Sequence, residues 1–202
     1  NRPAPLTAAS VGPYGAYLAD GSEYRGDYGK TREELADFHR ERIHILAEAG
    51  PDVFACETIP CLVEALAETD VLSEIPGAEA WISFSCKDGL HTCGGDLISD
   101  CAKALKDIKE VAAIGINCTA PQYVESLIKE IVKVTDKPVV VYPNSGEDYD
   151  AGSKSWEGSA AKYEDYVKIW YEAGARLIGG CCRTGPEDIR KVAAFRKSLI
   201  EK

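Results

Sequence analysis

The chain has 202 residues, 45% hydrophobic and 28% charged, with 33 acidic against 23 basic side chains and a formal net charge of -10. That length supports one domain with a sizeable core, and the acidic balance argues against a nucleic-acid binder, which needs Lys and Arg to meet phosphates. No apolar run reaches the roughly 18 residues of a membrane span, and the opening Asn1-Arg2-Pro3-Ala4-Pro5 has no apolar signal-peptide region, so a cytoplasmic protein without a membrane partner is expected. There are eight Cys and no Met. The long apolar segments are unlike a secreted disulfide scaffold, and most of these thiols are expected to be reduced core residues.

Short apolar runs alternate with amphipathic segments. Leu6–Ser10 reads as the first strand. A helix is predicted over 31–50: Thr31 and Glu34 form a capping box, Leu35, Phe38, Leu46 and Ala49 make its apolar stripe, and Gly50-Pro51 stops it. Val53–Cys56, Trp81–Ser85 and Val111–Asn117 are the next three strands. Pro121 then starts a helix whose Val124, Leu127, Ile128 and Ile131 face inward. Pro138–Pro143 and Arg176–Gly180 are the last strands, and a capping box at Thr184 and Glu187 is expected to open the final helix.

The runs are continuous rather than alternating, as in strands buried on both faces, and from Val53 on they recur about every 27 to 38 residues, the βα repeat of a parallel sheet. An internal echo aligns Glu48–Glu57 with Glu172–Cys181 and places Glu57 and Cys181 at equivalent depths near strand ends. The fold class expected is α/β, six βα units over a single domain, 1–202. Six units fit an open doubly wound sheet or a (β/α)8 barrel without its first two units, and the absence of a Met favours the barrel.

The chemistry concentrates just past strand ends, where α/β folds place their sites. Cys118 follows the Val111–Asn117 run, and Cys181-Cys182 follow the last one. Three cysteines from two strands can hold one metal and leave a fourth position open, as a catalytic zinc requires. Core cysteines and a redox-sensing thiol pair fit the same spacing, and the Gly-rich segment Gly179–Gly185 before a helix also fits a phosphate-binding loop. Glu57 reads as a strand-end carboxylate. Asn117 can orient a substrate or bond to backbone, and Asn144 suits a turn. His39 and His44 fall in a helix and are not expected to be ligands, and His91 is expected in a solvated loop. Tyr14 and Tyr17 can line a pocket or pack.

The segments Ser10–Tyr28, Phe54-Ala-Cys-Glu-Thr58, Gly115-Ile-Asn-Cys118 and Gly179-Gly-Cys-Cys182 resemble the homocysteine S-methyltransferase family, in order and over essentially the whole chain, and its S-methylmethionine- or S-adenosylmethionine-using branch in particular. The resemblance implies a (β/α)8 barrel, zinc on Cys118, Cys181 and Cys182, Glu57 holding the homocysteine ammonium, and methyl transfer from a sulfonium donor to the homocysteine thiol, giving methionine. The family's first-strand Asp-Gly segment has no counterpart here. The alternatives are the homocysteine module of a cobalamin-dependent methionine synthase, which requires folate and cobalamin domains, and a non-catalytic zinc or thiol redox protein.

Overall fold

The apolar runs pair into one sheet in which every neighbouring pair is parallel. Its strands are β1 (Ala8–Val11), β2 (Val53–Ile59), β3 (Ala80–Phe84), β4 (Val111–Asn117), β5 (Val139–Tyr142) and β8 (Ala175–Ile178), in the spatial order β1-β2-β3-β4-β5-β8. Each strand lies beside its predecessor, so the order never reverses. A doubly wound sheet has a point of reversal, whereas a barrel winds in one direction, and this sheet has the barrel's order. A second, two-stranded antiparallel ribbon, β6 (Asp148–Asp150) with β7 (Ser155–Glu157), interrupts the path from β5 to the next helix. The computed structural model describes residues 4–150 and 155–200; the outermost residues of the expected 1–202 domain, including the opening Asn1-Arg2-Pro3, lie outside them.

The crossovers are helical: α2 (Arg32–Glu48), α3 (Leu62–Leu72), α4 (Ile98–Leu105), α5 (Pro121–Val132) and α6 (Tyr163–Ala173), with α7 (Pro186–Ile200) after β8. Between β1 and α2 the chain forms a short helix α1 (Tyr14–Leu18) and a 3-10 turn at Ser22–Tyr24. The core is the layer between strands and helices, where Val11, Ile82, Phe84, Ile114, Ile116, Leu127 and Trp170 are fully buried. Close approach of β4 to β5 depends on Gly115, because a Cβ there would stand 1.7 Å from the Val140 carbonyl oxygen. None of the described helices is long and apolar enough to cross a membrane.

Four sequence expectations need correction. The α2 capping box is present, with Thr31 Oγ1 accepting from Glu34 N and Glu34 accepting from Thr31 N, but the buried face is Leu35, Ala36, His39 and Ile43, while Ala49 is exposed. The stripe is rotated because a buried histidine occupies a position that apolar periodicity counts as polar. At α7, Thr184 is not the cap. Its hydroxyl donates to the Cys181 carbonyl at 2.7 Å, and Asp188 accepts from Gly185 N at 3.0 Å; Pro186 at the helix start has no N–H to offer. The first strand starts two residues late, leaving Leu6 exposed. His91 is half-buried rather than freely solvated, its ring 3.1 Å from Asp88.

Candidate metal centre and substrate cavity

Three strand ends build the site. Cys118 is the residue after β4, held by its N–H to the Tyr142 carbonyl at 3.3 Å and set in the left-handed region at φ 46°. Cys181 and Cys182 follow β8 through Gly179-Gly180. Cys181 N donates to the Pro143 carbonyl at 3.0 Å, and Ser145 N donates to the Cys182 carbonyl at 3.0 Å. Gly180 is needed here, since a Cβ would fall 2.2 Å from Thr184 Oγ1. Tyr163, buried beneath, donates to the Pro143 carbonyl at 2.8 Å and braces both strand ends.

These anchors bring the sulfurs together. Cys118 Sγ lies 2.8 Å from Cys181 Sγ and 3.3 Å from Cys182 Sγ, and Cys181 and Cys182 are 4.0 Å apart. Thiolates at about 2.3 Å from a tetrahedral zinc stand roughly 3.8 Å from one another; two of these separations are shorter and one slightly longer, and the three sulfurs lie close enough to share one ion. The thiols also share protons unevenly. Cys118 is pushed far up by its thiol contacts with Cys181 and Cys182 and by burial, while Cys182 is pulled down to about 3 because both neighbouring thiols stabilise its thiolate. Three thiols converging on one point are suited to a soft cation. Among the described residues this is the one group of three metal-ligating side chains close enough to share an ion.

The cluster opens onto a cavity of about 470 Å3 whose wall includes Ser10, Glu23, Tyr24, Glu57, Asn117, Tyr142 and the three cysteines. Glu57 comes from β2 and accepts from Ser10 Oγ at 2.6 Å. Its meeting with Cys181 follows from sheet geometry. Through Phe84, Ile116 and Val141, Ile59 is in register with Ile178; Glu57 precedes Ile59 by two residues and Cys181 follows Ile178 by three. In a tilted parallel sheet of eight-stranded-barrel type the register slips by about one residue per strand relative to the axis, so four strand steps raise Glu57 to nearly the height of Cys181.

Asn117 is buried, and its side chain is committed to Thr58: Oδ1 accepts from Thr58 N at 2.7 Å and Nδ2 donates to Thr58 Oγ1 at 2.8 Å. It thereby holds Thr58, the residue after Glu57, in a left-handed conformation at φ 63°. Asn144 makes a turn, accepting from Gly146 N at 2.8 Å. Tyr14 and Tyr17 do not line this cavity; they pack on Phe38 with ring centroids 4.9 and 5.4 Å away. The aromatic walls are Tyr24 and Tyr142 instead. Burial pushes both phenols up, and nearby Cys118 for Tyr24 and Glu57 for Tyr142 add to the effect.

Behind the wall lies a second, enclosed cluster. His39, Glu64 and Glu68 are all fully buried. Arg42 donates to His39 Nδ1 at 2.9 Å, and a guanidinium can only donate, so Nε2 carries the proton shared with Glu64 at 2.9 Å. The same Glu64 oxygen accepts from Tyr14 N at 2.5 Å, and Arg42 donates to the Gly12 carbonyl at 2.7 Å. The cluster therefore pins the β1–α1 loop, whose Gly12 and Pro13 line the cavity. His44 lies outside it, on Glu74 at 3.0 Å.

Residues 2–195 match the homocysteine S-methyltransferase family profile. The chain belongs to that family. It is 57% identical over 201 residues to a homocysteine S-methyltransferase of Bacillus subtilis, covering 98% of this chain and 64% of the relative. It is 50% identical to a selenocysteine Se-methyltransferase of Brassica oleracea, covering 98% of this chain and 58% of that protein. Among solved structures, the metallated form of the homocysteine methyltransferase MmuM of Escherichia coli superposes with a TM-score of 0.83 at 44% identity, covering 94% of this chain and 61% of that one. The chain thus spans about three fifths of the length of the relatives it matches. Within this homocysteine S-methyltransferase domain, Glu23, Tyr24, Ser10 and Tyr142 are the cavity residues that sequence reasoning passed over. Tyr24 and Glu23 sit in the Ser10–Tyr28 segment that carried part of the resemblance, yet nothing in their spacing marks them as walls of a site.

Proposed function

We propose that this chain forms part of a (β/α)8 barrel that transfers a methyl group from a sulfonium donor, S-methylmethionine or S-adenosylmethionine, to the thiol of homocysteine, giving methionine. The observation that carries the reading is the convergence of Cys118, Cys181 and Cys182 on one point at the mouth of a cavity that also holds Glu57. The winding order of the six strands supports the barrel. Eight free thiols suit a reducing, cytoplasmic setting.

Cys118, Cys181 and Cys182 would hold zinc. Zinc bound there supplies a Lewis acid that makes a coordinated thiol ionise near neutral pH, where a free thiol is only a few per cent thiolate. Glu57 receives the ammonium of homocysteine, a charge-assisted contact that sets the distance from the amino group to the sulfur. Asn117 acts through Thr58, keeping the segment after Glu57 in its unusual conformation. Tyr24 and Tyr142 face the reacting centre with bulky rings and exclude water, so the task left to the chain is alignment of two sulfurs and a methyl in line. The thiol proton is lost before transfer, so no side chain needs to act as a base towards the methyl group.

The test is direct. Zinc-loaded full-length protein supplied with homocysteine and, separately, S-methylmethionine, S-adenosylmethionine and betaine is assayed for methionine. Turnover with a sulfonium donor is the expected result; zinc-loaded protein that forms no methionine from any of the three refutes the reading.

A further inference from the structure

The cavity wall contains two carboxylates, Glu23 and Glu57, and no Lys, Arg or His. Its metal site adds three thiols. Three thiolates around a divalent zinc leave a net charge of -1, and the two carboxylates bring the total to -3. Homocysteine bound through its sulfur adds a thiolate and a carboxylate of its own and brings one ammonium, for which Glu57 accounts. Glu23 remains without a cation.

Glu23 is a built feature rather than a floating surface acid. It lies in the Ser22–Tyr24 turn, which Asp20 closes by accepting from Ser22 N at 2.9 Å. Helix α1 packs so tightly on this turn that a Cβ at Gly15 would stand 2.3 Å from Glu23 N and 2.8 Å from its Cα. Ser85 Oγ donates to the Glu23 carbonyl at 3.3 Å. The backbone of Glu23 is thus held from two sides. Its carboxylate Oε2 is buried and meets no hydrogen-bond donor of the protein, and no described cation forms an ion pair with the group. A carboxylate placed this firmly with an unmatched charge calls for a positive group from the cavity side.

We infer that Glu23 is a specificity-determining residue that binds the ammonium end of the methyl donor, and that through it the cavity selects donors carrying an ammonium apart from the reacting centre over donors, such as betaine, that lack one. The inference rests on the methyl-transfer reading above and deepens it. A sulfonium amino acid carries a sulfonium, an ammonium and a carboxylate, for a net charge of +1; betaine is net neutral and a folate is anionic. In the transfer, the bond between the methyl carbon and the donor sulfur breaks with its electron pair going to that sulfur, and a new bond forms from the homocysteine sulfur. The donor leaves as a neutral sulfide. A carboxylate directly on the sulfonium would stabilise the reactant more than the transition state, so the ammonium end is the better partner for Glu23. The charge lost at sulfur then weakens the attraction of the cavity as a whole for the spent donor and favours its release, while the ammonium contact is unchanged.

The experiment compares wild type, Glu23→Gln, Glu23→Asp and Glu57→Gln as zinc-loaded full-length proteins. Steady-state kinetics vary S-methylmethionine and homocysteine independently, and calorimetry measures binding of S-methylmethionine against methionine, which has the same amino-acid end and one charge fewer. Glu23→Gln is expected to raise the KM for S-methylmethionine about tenfold or more and leave the KM for homocysteine within about twofold. Glu57→Gln is expected to do the reverse, and Glu23→Asp to recover part of the loss. Binding of S-methylmethionine and of methionine should weaken together in Glu23→Gln, because the two share the ammonium. Unchanged donor KM and unchanged binding of both ligands in a Glu23→Gln protein that binds zinc and homocysteine normally would overturn the role of Glu23 alone. A wild type that binds neither zinc nor homocysteine would instead overturn the reading of the site on which the inference depends.

Discussion

Two clusters of titratable side chains in this fold differ in what they face. Cys118, Cys181 and Cys182 lie beyond the ends of β4 and β8 and open onto a cavity. His39, Glu64 and Glu68 lie between α2 and α3 with no solvent exposure at all. The first cluster brings three thiols together, close enough to share one ion, on an open face. The second closes on itself and on the backbone of the β1–α1 loop through Tyr14 N and the Gly12 carbonyl. Burial and perturbed ionisation occur in both, so neither property separates a reactive site from a structural one; an open face does. The enclosed cluster still matters to function, because the loop it holds is part of the cavity wall.

The comparison is sharpest where metal and stability separate. Cys118→Ser, Cys181→Ser and Cys182→Ser should each reduce bound zinc from about one per chain to nearly none and remove almost all methyl transfer, while leaving the far-ultraviolet circular dichroism intact. Elemental analysis of reduced protein checks the first and an assay the second. Cys61→Ser, altering a buried thiol outside the cavity, should retain zinc; equal loss there at equal folding would break the ligand assignment. Glu64→Ala should act in the opposite way. It strands the His39 Nε2 and Tyr14 N donors and is expected to cost about 3 kcal/mol of stability in urea unfolding, with zinc still bound. Loss of zinc without loss of stability would erase the distinction between the clusters.

Smaller effects sharpen each side. Glu57→Gln should weaken homocysteine binding by about 1.5–3 kcal/mol, seen as a raised KM with no recovery at high pH; recovery at high pH would make Glu57 a proton acceptor instead. In the enclosed cluster, burial first, and then the nearby Glu64, hold the Glu68 carboxyl well above the ordinary carboxylate range. The folded chain therefore keeps a proton that the unfolded chain releases once pH passes the ordinary range. That contribution is fully present at low pH and declines as pH rises towards the folded-state value, by at most about 1.4 kcal/mol per pH unit. Glu68→Gln cannot ionise and should flatten this decline. An identical pH–stability curve in the variant would show Glu68 to be ionised in the fold.

Local rules in the sequence were enough to locate all six strands of the parallel sheet, within a few residues at their ends, and the start of α2 and of α5. Continuous Val and Ile runs have few other destinations, and the Thr31–Glu34 pair and Pro121 act over one turn of backbone. The three cysteines were also visible there, because residues just past a strand's end in a parallel sheet have little choice of where to point. What local rules missed has a common cause. His39 reads as polar in a periodicity count, yet it is buried because Glu64 and Arg42, both distant in sequence, satisfy its two nitrogens. The Thr184 cap failed because the Cys181 carbonyl competes for the same hydroxyl.

By itself, then, the sequence determined the βα alternation, the parallel sheet and the placing of Cys118, Cys181 and Cys182 at strand ends, since each depends on hydrophobic period or on bonds within a few residues. Only the tertiary structure decided that these sulfurs lie within 4.0 Å of one another, that Glu57 rises to meet them, that Asn117 is spent on Thr58, and that Glu23 faces the same cavity without a cation. Those outcomes depend on strand tilt and register summed across the sheet and on which distant groups arrive to satisfy a buried charge, and no short window of residues contains either.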